Sequence, residues 1–337
     1  MNFFLKILLT LNVAVIVFTA FGYLASYIDP AIFSLPQTIG LLMPMLLVLN
    51  LLFSGFWLCL RKKEFWYSAI ALLVGVGQIT RLVGFHFSQT QATAGLSICS
   101  FNAQNYNALD NVNTLLSQSV LPSDLDVLCL QEISEEHVKG IKEASGLPHH
   151  YYNQGKYTLS EYPIAKSGKL QFDKSVNGCV WTDLIVADQT IRVYNIHLRS
   201  NSVKHDDLNL FTRDATANRT TIRNLPSVLN RYRLASESRS KQAETLLDHI
   251  AQCSHPVIVA GDFNDSPFSY TYQRFKNRLQ DQFKNQGLGI GATFAGSVPG
   301  LKIDYIFADD NFESLSHRIV RTKISDHFPV ISSLNLK

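Results

Sequence analysis

Apolar positions are distributed along this chain in two different ways. In the first 90 residues they form long runs: 22 uncharged residues lie between Lys6 and Asp29, 31 between Asp29 and Arg61, and from Phe65 to Phe87 Arg81 alone carries charge. A hydrocarbon layer of about 30 Å needs about 20 apolar residues in a helix, so these runs predict a membrane anchor of three transmembrane helices over 1–90. The other reading of the first run is a cleaved signal peptide, with small residues in Tyr23-Leu-Ala-Ser26. Two more apolar stretches directly behind it argue for spans. Lys6 precedes the first run and Arg61-Lys62-Lys63 separate the second from the third, whereas 25–38 contain no Lys or Arg. Basic residues stay on the cytoplasmic side, which predicts a multi-pass protein of the inner (cell) membrane, with a cytoplasmic amino terminus and the rest of the chain periplasmic or extracytoplasmic. Arg81 leaves only 16 uninterrupted residues in the third run. Were that run to lie flat on the membrane, the remainder would be cytoplasmic.

Beyond residue 94 the pattern changes to short β-branched runs that end in polar groups. Leu96-Ser-Ile-Cys-Ser-Phe-Asn102 and Asp126-Val-Leu-Cys-Leu-Gln-Glu132 read as strands, with a helix at Val112–Val120 between them. Gly178–Ala187 and Ile191–Leu198 read as a hairpin closed by Asp188-Gln189. A helix over Ser236–Ile250 follows, then Pro256–Ala260, a strand buried on both faces that ends in Gly261-Asp-Phe-Asn-Asp265. Leu301–Ala308 and Ser325–Ser332 are the last strands. Amides and acids collect where strands stop, as suits a hard cation held by a rigid sheet and open to substrate.

Charge separates the same two parts. Residues 1–94 hold five basic and two acidic residues, a net of +3, and residues 95–337 hold 25 of each. A neutral domain lowers the expectation of non-specific nucleic-acid binding. The exception is Arg199–Lys241, with nine basic and four acidic residues, which could face phosphate or lipid or be a solvated loop and helix. The five cysteines form no CxxC pair and read as small buried apolar residues, with no thiolate zinc site and no disulfide framework.

The ordered set Phe101-Asn102, Gln131-Glu132, Tyr194-Asn-Ile-His197, Gly261-Asp-Phe-Asn264, Ile303-Asp-Tyr305 and Ser325-Asp-His327 resembles the endonuclease/exonuclease/phosphatase superfamily, which includes DNase I, neutral sphingomyelinases and inositol polyphosphate 5-phosphatases. The resemblance covers about 95–337. It implies an α+β fold, a four-layer α/β/β/α sandwich of two mixed sheets flanked by helices, with the site at one edge. It also implies a hydrolase that uses Mg2+ or Mn2+.

Phosphodiester hydrolysis needs charge neutralisation, a deprotonated water and a stabilised leaving oxygen. By the resemblance, Glu132 is the main metal ligand, with Asn102 and Asp326 near it. Asp262 orients or deprotonates water, Asn264 donates to a phosphoryl oxygen, Asp304 orients or keeps charged His327, and His197 stabilises the transition state or assists the leaving group. Asn102 and Arg199 are the expected substrate contacts. Ser160-Glu-Tyr-Pro-Ile164 departs from the family, whose members often carry a basic residue where Glu161 stands. Gly287–Thr293 reads as a flexible loop and not a nucleotide P-loop, since no Gly-Lys-Ser/Thr follows. His149–Tyr152 could line a pocket or pack against the sandwich.

The expected activity is phosphodiester hydrolysis at a membrane, on nucleic acid or a lipid headgroup, with no obligatory protein partner. The alternatives are a sphingomyelinase-like or inositol-phosphatase-like enzyme and a catalytically degenerate binding module.

Overall fold

The computed structural model describes residues 2–87, 95–104, 108–117, 121, 122, 124–172, 177–201, 215–296 and 300–337. Five helices open the chain: α1 (Phe3–Leu24), α2 (Leu35–Gly40), α3 (Met43–Cys59), α4 (Phe65–Val74) and α5 (Val76–Ile79). Then come β1 (Val83–Phe85), β2 (Leu96–Asn102), α6 (Ala108–Ser117), β3 (Val127–Gln131), α7 (Val138–Ser145), β4 (His149–Asn153), β5 (Lys156–Ser160), β6 (Ile164–Gln171), β7 (Gly178–Val186) and β8 (Gln189–His197). The remainder is α8 (Ala215–Ala251), β9 (Val257–Asp262), α9 (Tyr270–Lys276), β10 (Gln280–Asp281), α10 (Gln282–Gln286), β11 (Leu288–Ile290), β12 (Asp304–Ala308), β13 (Phe312–Ile319) and β14 (Val330–Leu336).

Two six-stranded mixed sheets, ordered β10-β12-β9-β8-β7-β6 and β13-β14-β2-β3-β5-β4, form the sandwich. Alternation along the apolar strands sorts their side chains into layers. Ile98, Val127, Val193, Ile258, Ile306 and Val330 meet between the sheets. Their neighbours Val257, Val259 and Phe307 turn outward to Leu246 and Leu247 of α8 and Phe275 of α9. On the other sheet Cys99, Leu128 and Leu130 turn outward to Val112, Leu115 and Ile141. Both faces of each sheet are therefore covered, so the central strands need continuous apolar runs.

Several elements differ from the sequence reading. The helix expected from Ser236 begins at Ala215, while 118–120 of the helix expected over Val112–Val120 lie outside the described residues. Leu288–Ile290, read as part of a flexible loop, pairs with β1. His149–Tyr152 is strand β4, with His150 and Tyr152 edge-on to Tyr157. Cys99, Cys129 and Cys179 are free and buried, whereas Cys59 is exposed.

Among the described residues, α1 is the one helix long and apolar enough to cross a membrane by itself. α3 has 17 residues, and the third apolar run is divided at Gly75 into α4 and α5 and ends in β1. Arg81 therefore does not sit in a span. It is buried against the sandwich, where Nη1 donates to Ser26 Oγ (3.2 Å) and the Pro267 carbonyl (3.1 Å), Nη2 donates to Gln273 Oε1 (2.6 Å), and the guanidinium lies over the Tyr272 ring.

Polar side chains pair with one another inside the helices, beside an apolar core of Ile39, Met43, Leu46 and Leu47, and the outward faces are apolar. Asn12 Nδ2 donates to Ser68 Oγ (2.6 Å), Trp57 Nε1 donates to Asn12 Oδ1 (3.0 Å), and Asn50 Nδ2 donates to Thr19 Oγ1 (2.7 Å). Leu11, Phe18, Leu51, Leu52, Ile70 and Leu73 are exposed. Phe268 of the loop before α9 is buried in the core of these helices, and Ser26 Oγ donates to its carbonyl at 2.9 Å. Replacing Arg81 with Met leaves buried partners unpaired, each costing about 1–3 kcal/mol. The R81M protein in detergent is expected to melt earlier and to be cut faster by protease at 265–268, with R81K intermediate.

Candidate functional site

The register brings the polar strand ends to one edge of the sandwich. Parallel β2 and β3 pair Asn102 with Gln131, and parallel β8 and β9 pair His197 with Asp262. Three antiparallel neighbours start at the same edge, placing Asp304 opposite Asp262, Gly178 opposite His197 and Lys156 opposite Gln131. The sheets are tied together beneath this edge. Gln131 Nε2 donates to Asn195 Oδ1 (2.8 Å), and Asn195 Nδ2 donates to the Leu130 and Tyr157 carbonyls (both 3.1 Å). These two motif residues are thus cross-ties in the interior. Gly261 permits the close pairing of β8 and β9: at its φ of 150° a Cβ would lie 2.0 Å from the Ile196 carbonyl oxygen.

Asp262 Oδ2 is the hub of the edge. It accepts from Asn102 Nδ2 (3.0 Å) and Asn264 Nδ2 (3.1 Å) and lies 3.7 Å from His197 Nε2 and 3.8 Å from His327 Nε2. Burial raises the pKa of Asp262 and Asp304 adds to the rise, against the opposing pull of His327 and His197. His327 Nδ1 lies 3.1 and 3.0 Å from the two oxygens of Asp304, which makes a histidine–carboxylate pair. Burial works against charge on this ring, but Asp304, Asp262 and Asp326 outweigh it and its pKa is pushed up to about 10. His197 moves the other way. Burial lowers its pKa, and Lys156 and His327 contribute in the same direction.

Two of these residues occupy left-handed backbone: Glu132 at φ 59° and Asn264 at φ 53°. Asn tolerates that conformation, whereas for Glu the cost is about 1–3 kcal/mol. Glu132 follows β3 and turns its side chain, about one-third exposed, toward a cavity of about 480 Å3 whose wall also includes His197 and Arg199. Its Oε1 accepts from Asn102 Nδ2 at 3.1 Å and lies 3.7 Å from His197 Nε2.

Each expected site residue has a definite place. Asn102, Glu132, His197, Asp262, Asn264, Asp304 and His327 form one connected group. Asn264 donates to Asp262 and to the Leu198 carbonyl, so its amide positions the acid. Arg199 sits on the cavity wall. Asp326 accepts from Ser325 Oγ (3.3 Å) and acts on His327 through its charge. Asp262, Asp304 and His327 have ligand atoms within 4.8 Å of one another, yet Asp304 is engaged by His327. The donor set at Glu132 fits magnesium or manganese better: a cavity-facing carboxylate beside an amide, since Mg2+ is held by one or two carboxylates with water and substrate oxygens.

Sequence reading missed Arg239, which lies in the net-basic segment read as facing phosphate, facing lipid or solvated. Its side chain is fully buried, with Nε 3.1 Å from Asp265 Oδ2. Nη1 donates to the Arg199 carbonyl (2.9 Å) and Asn201 Oδ1 (2.7 Å). It thereby joins the loop after His197 to the loop after Asp262; residues 202–214 of the segment lie outside the described residues. Breaking a buried pair by removing one partner costs about 3–5 kcal/mol. R239M is therefore expected to show a large fall in melting temperature, and R239K a smaller one.

The chain belongs to the endonuclease/exonuclease/phosphatase family, whose model matches residues 99–327. Residues 5–82 match a second model, described as a domain of unknown function. Among solved structures, the fold is similar to the endonuclease/exonuclease/phosphatase from Bacteroides vulgatus, with 16% identity over 73% of this chain and 100% of that one and a TM-score of 0.55. It is also similar to a family protein from Bacteroides thetaiotaomicron, with 17% identity over 72% and 98% and a TM-score of 0.54. A third is D. rerio TDP2 complexed with single strand DNA product, with 17% identity over 72% and 99% and a TM-score of 0.53. A comparison with curated proteins gives no match.

Proposed function

We propose that this protein is a membrane-tethered, divalent-metal-dependent phosphodiester hydrolase. The observation that carries the reading is the convergence of two imidazoles and two amides on the buried Asp262 Oδ2. In this reading Asp262 receives a proton from the attacking water, and its raised pKa suits it to the task. Asn102 and Asn264 hold the carboxylate in place. His327, kept protonated by Asp304, sets a positive charge beside the phosphoryl group. His197 Nε2, buried and without a hydrogen-bond partner among the described residues, remains available to a phosphoryl or leaving oxygen. Glu132, with Asn102 and Asp326, would hold Mg2+ or Mn2+, which neutralises phosphoryl charge when bound.

Residues 1–90 form the anchor and 95–337 the hydrolase domain. The interhelical polar pairs and apolar outward faces of α1, α3 and α4 suit lipid and support the multi-pass reading. Docking of these helices on Phe268, six residues beyond Asp262, favours a lipid-headgroup phosphodiester over nucleic acid. Full-length protein in detergent with magnesium, offered plasmid DNA and phospholipid vesicles in parallel, is expected to release headgroups in a manner lost on His197→Ala. Cleavage of DNA alone overturns the lipid assignment. A reporter fused after Lys337 tests the topology: activity on the extracytoplasmic side is expected, and a cytoplasmic signal refutes three crossings.

A further inference from the structure

Lys156 is a buried cation that the mechanism does not use. It opens β5 directly after a tight turn in which Gln154 (φ 46°) and Gly155 (φ 78°) are both left-handed. That turn and the pairing with Gln131 fix the lysine backbone at the catalytic edge. The residue is only 2% exposed, and burial lowers its pKa to about 8. Nζ reaches Gly178, the cross-strand partner of His197, where a Cβ would lie 3.4 Å away. Among the described residues Nζ has no hydrogen bond or ion pair.

An ammonium largely withdrawn from water, with only the cavity beside it, is costly to hold and is stabilised by an anion there. Lys156 is part of the wall of the same cavity as Glu132, His197 and Arg199. Lys156 and Arg199 line it against one acid, Glu132, so its electrostatics favour an anion. Glu161, where the family often carries a basic residue, follows the far end of β5 and forms no part of this wall. It therefore has no bearing on phosphate contacts at this edge.

We propose that Lys156 is a phosphate-binding residue, whose Nζ donates to an anionic oxygen of the substrate's phosphate at the inner wall of the cavity while Arg199 contributes charge from the loop after β8. This rests on the phosphoester-hydrolase reading and adds a specificity residue to it: substrates with an anionic phosphate oxygen are held, and neutral esters of the same shape are not. Met has nearly the length of Lys and needs no partner, so Lys156→Met keeps the packing and relieves the burial cost.

The test uses full-length protein in detergent micelles, with inorganic phosphate binding followed by calorimetry in EDTA, so that the chain's own residues are probed without metal. K156M is expected to weaken phosphate binding about tenfold or more and K156R to retain most of it, as loss of a charge-assisted hydrogen bond implies. With magnesium and a chromogenic phosphodiester, K156M is expected to raise KM by a similar factor with kcat within about twofold. Phosphate binding that is equal in K156M and wild type, or absent in wild type, overturns the assignment. Phosphate binding that is lost in K156M while wild type hydrolyses nothing upholds Lys156 as an anion ligand and refutes the hydrolase reading.

Discussion

Asp262→Asn is expected to lower kcat for phosphodiester hydrolysis by about 10²–10⁴-fold, the span associated with loss of a general base. The substitution is isosteric, so the chain should fold. It removes a buried carboxylate whose pKa burial raises, and burial of that charge is itself destabilising. An amide at this position also meets the NH2 groups of Asn102 and Asn264 that now donate to Oδ2. KM should change far less than kcat, because the carboxylate acts on the water and not on the bound phosphate. In the wild type the acid limb of kcat should have a midpoint above the ordinary carboxylate value of 3.8, since the base works only when deprotonated. A D262N protein that keeps more than half of its turnover would remove Asp262 from the chemistry.

Asp304→Asn is expected to cost about 10²–10³-fold in kcat, the order seen when one preorganised electrostatic group is removed. The carboxylate that holds the imidazolium is then gone, and His327 is buried with less to offset desolvation. Because His327 has a folded pKa raised to about 10 against an ordinary value of 6.5, its charge stabilises the fold fully below about pH 6.5. That contribution is lost as pH rises toward 10. The melting difference between wild type and D304N should accordingly be largest at mildly acid pH and shrink toward pH 10. The double variant D304N/H327Q should be scarcely slower than either single one, because the pair acts as a unit. Additive losses would show that the residues act separately.

Most of the candidate site was legible because strand ends are readable from sequence. An apolar β-branched run that stops at an amide or acid marks both the strand and the position of the side chain, as at Asn102, Gln131-Glu132, His197 and Asp262. What was not legible depends on partners distant in the chain. Neither Lys156 nor Arg239 stands out in the sequence; the turn at Gln154-Gly155 and the packing of α8 bury them. β4, half-buried, and β6, largely exposed, lie at the free edges of their sheets and are rich in polar residues, so no apolar run announces them. The third apolar run does not form one long helix, and its Arg81 finds the Pro267 carbonyl and Gln273 in the sandwich, partners that hydropathy cannot show.

The sandwich edge around Asp262 is proposed to hydrolyse phosphodiesters with the help of a divalent cation. The most direct measurement is release of nitrophenol from bis-(4-nitrophenyl) phosphate by the full-length protein in detergent, titrated with magnesium and manganese. Hydrolysis is expected to saturate with the metal, stop with EDTA, return when metal is restored, and fall at least tenfold in Glu132→Gln at fixed metal. Hydrolysis that is unchanged by EDTA and by Glu132→Gln, or its absence at every metal concentration, would contradict it.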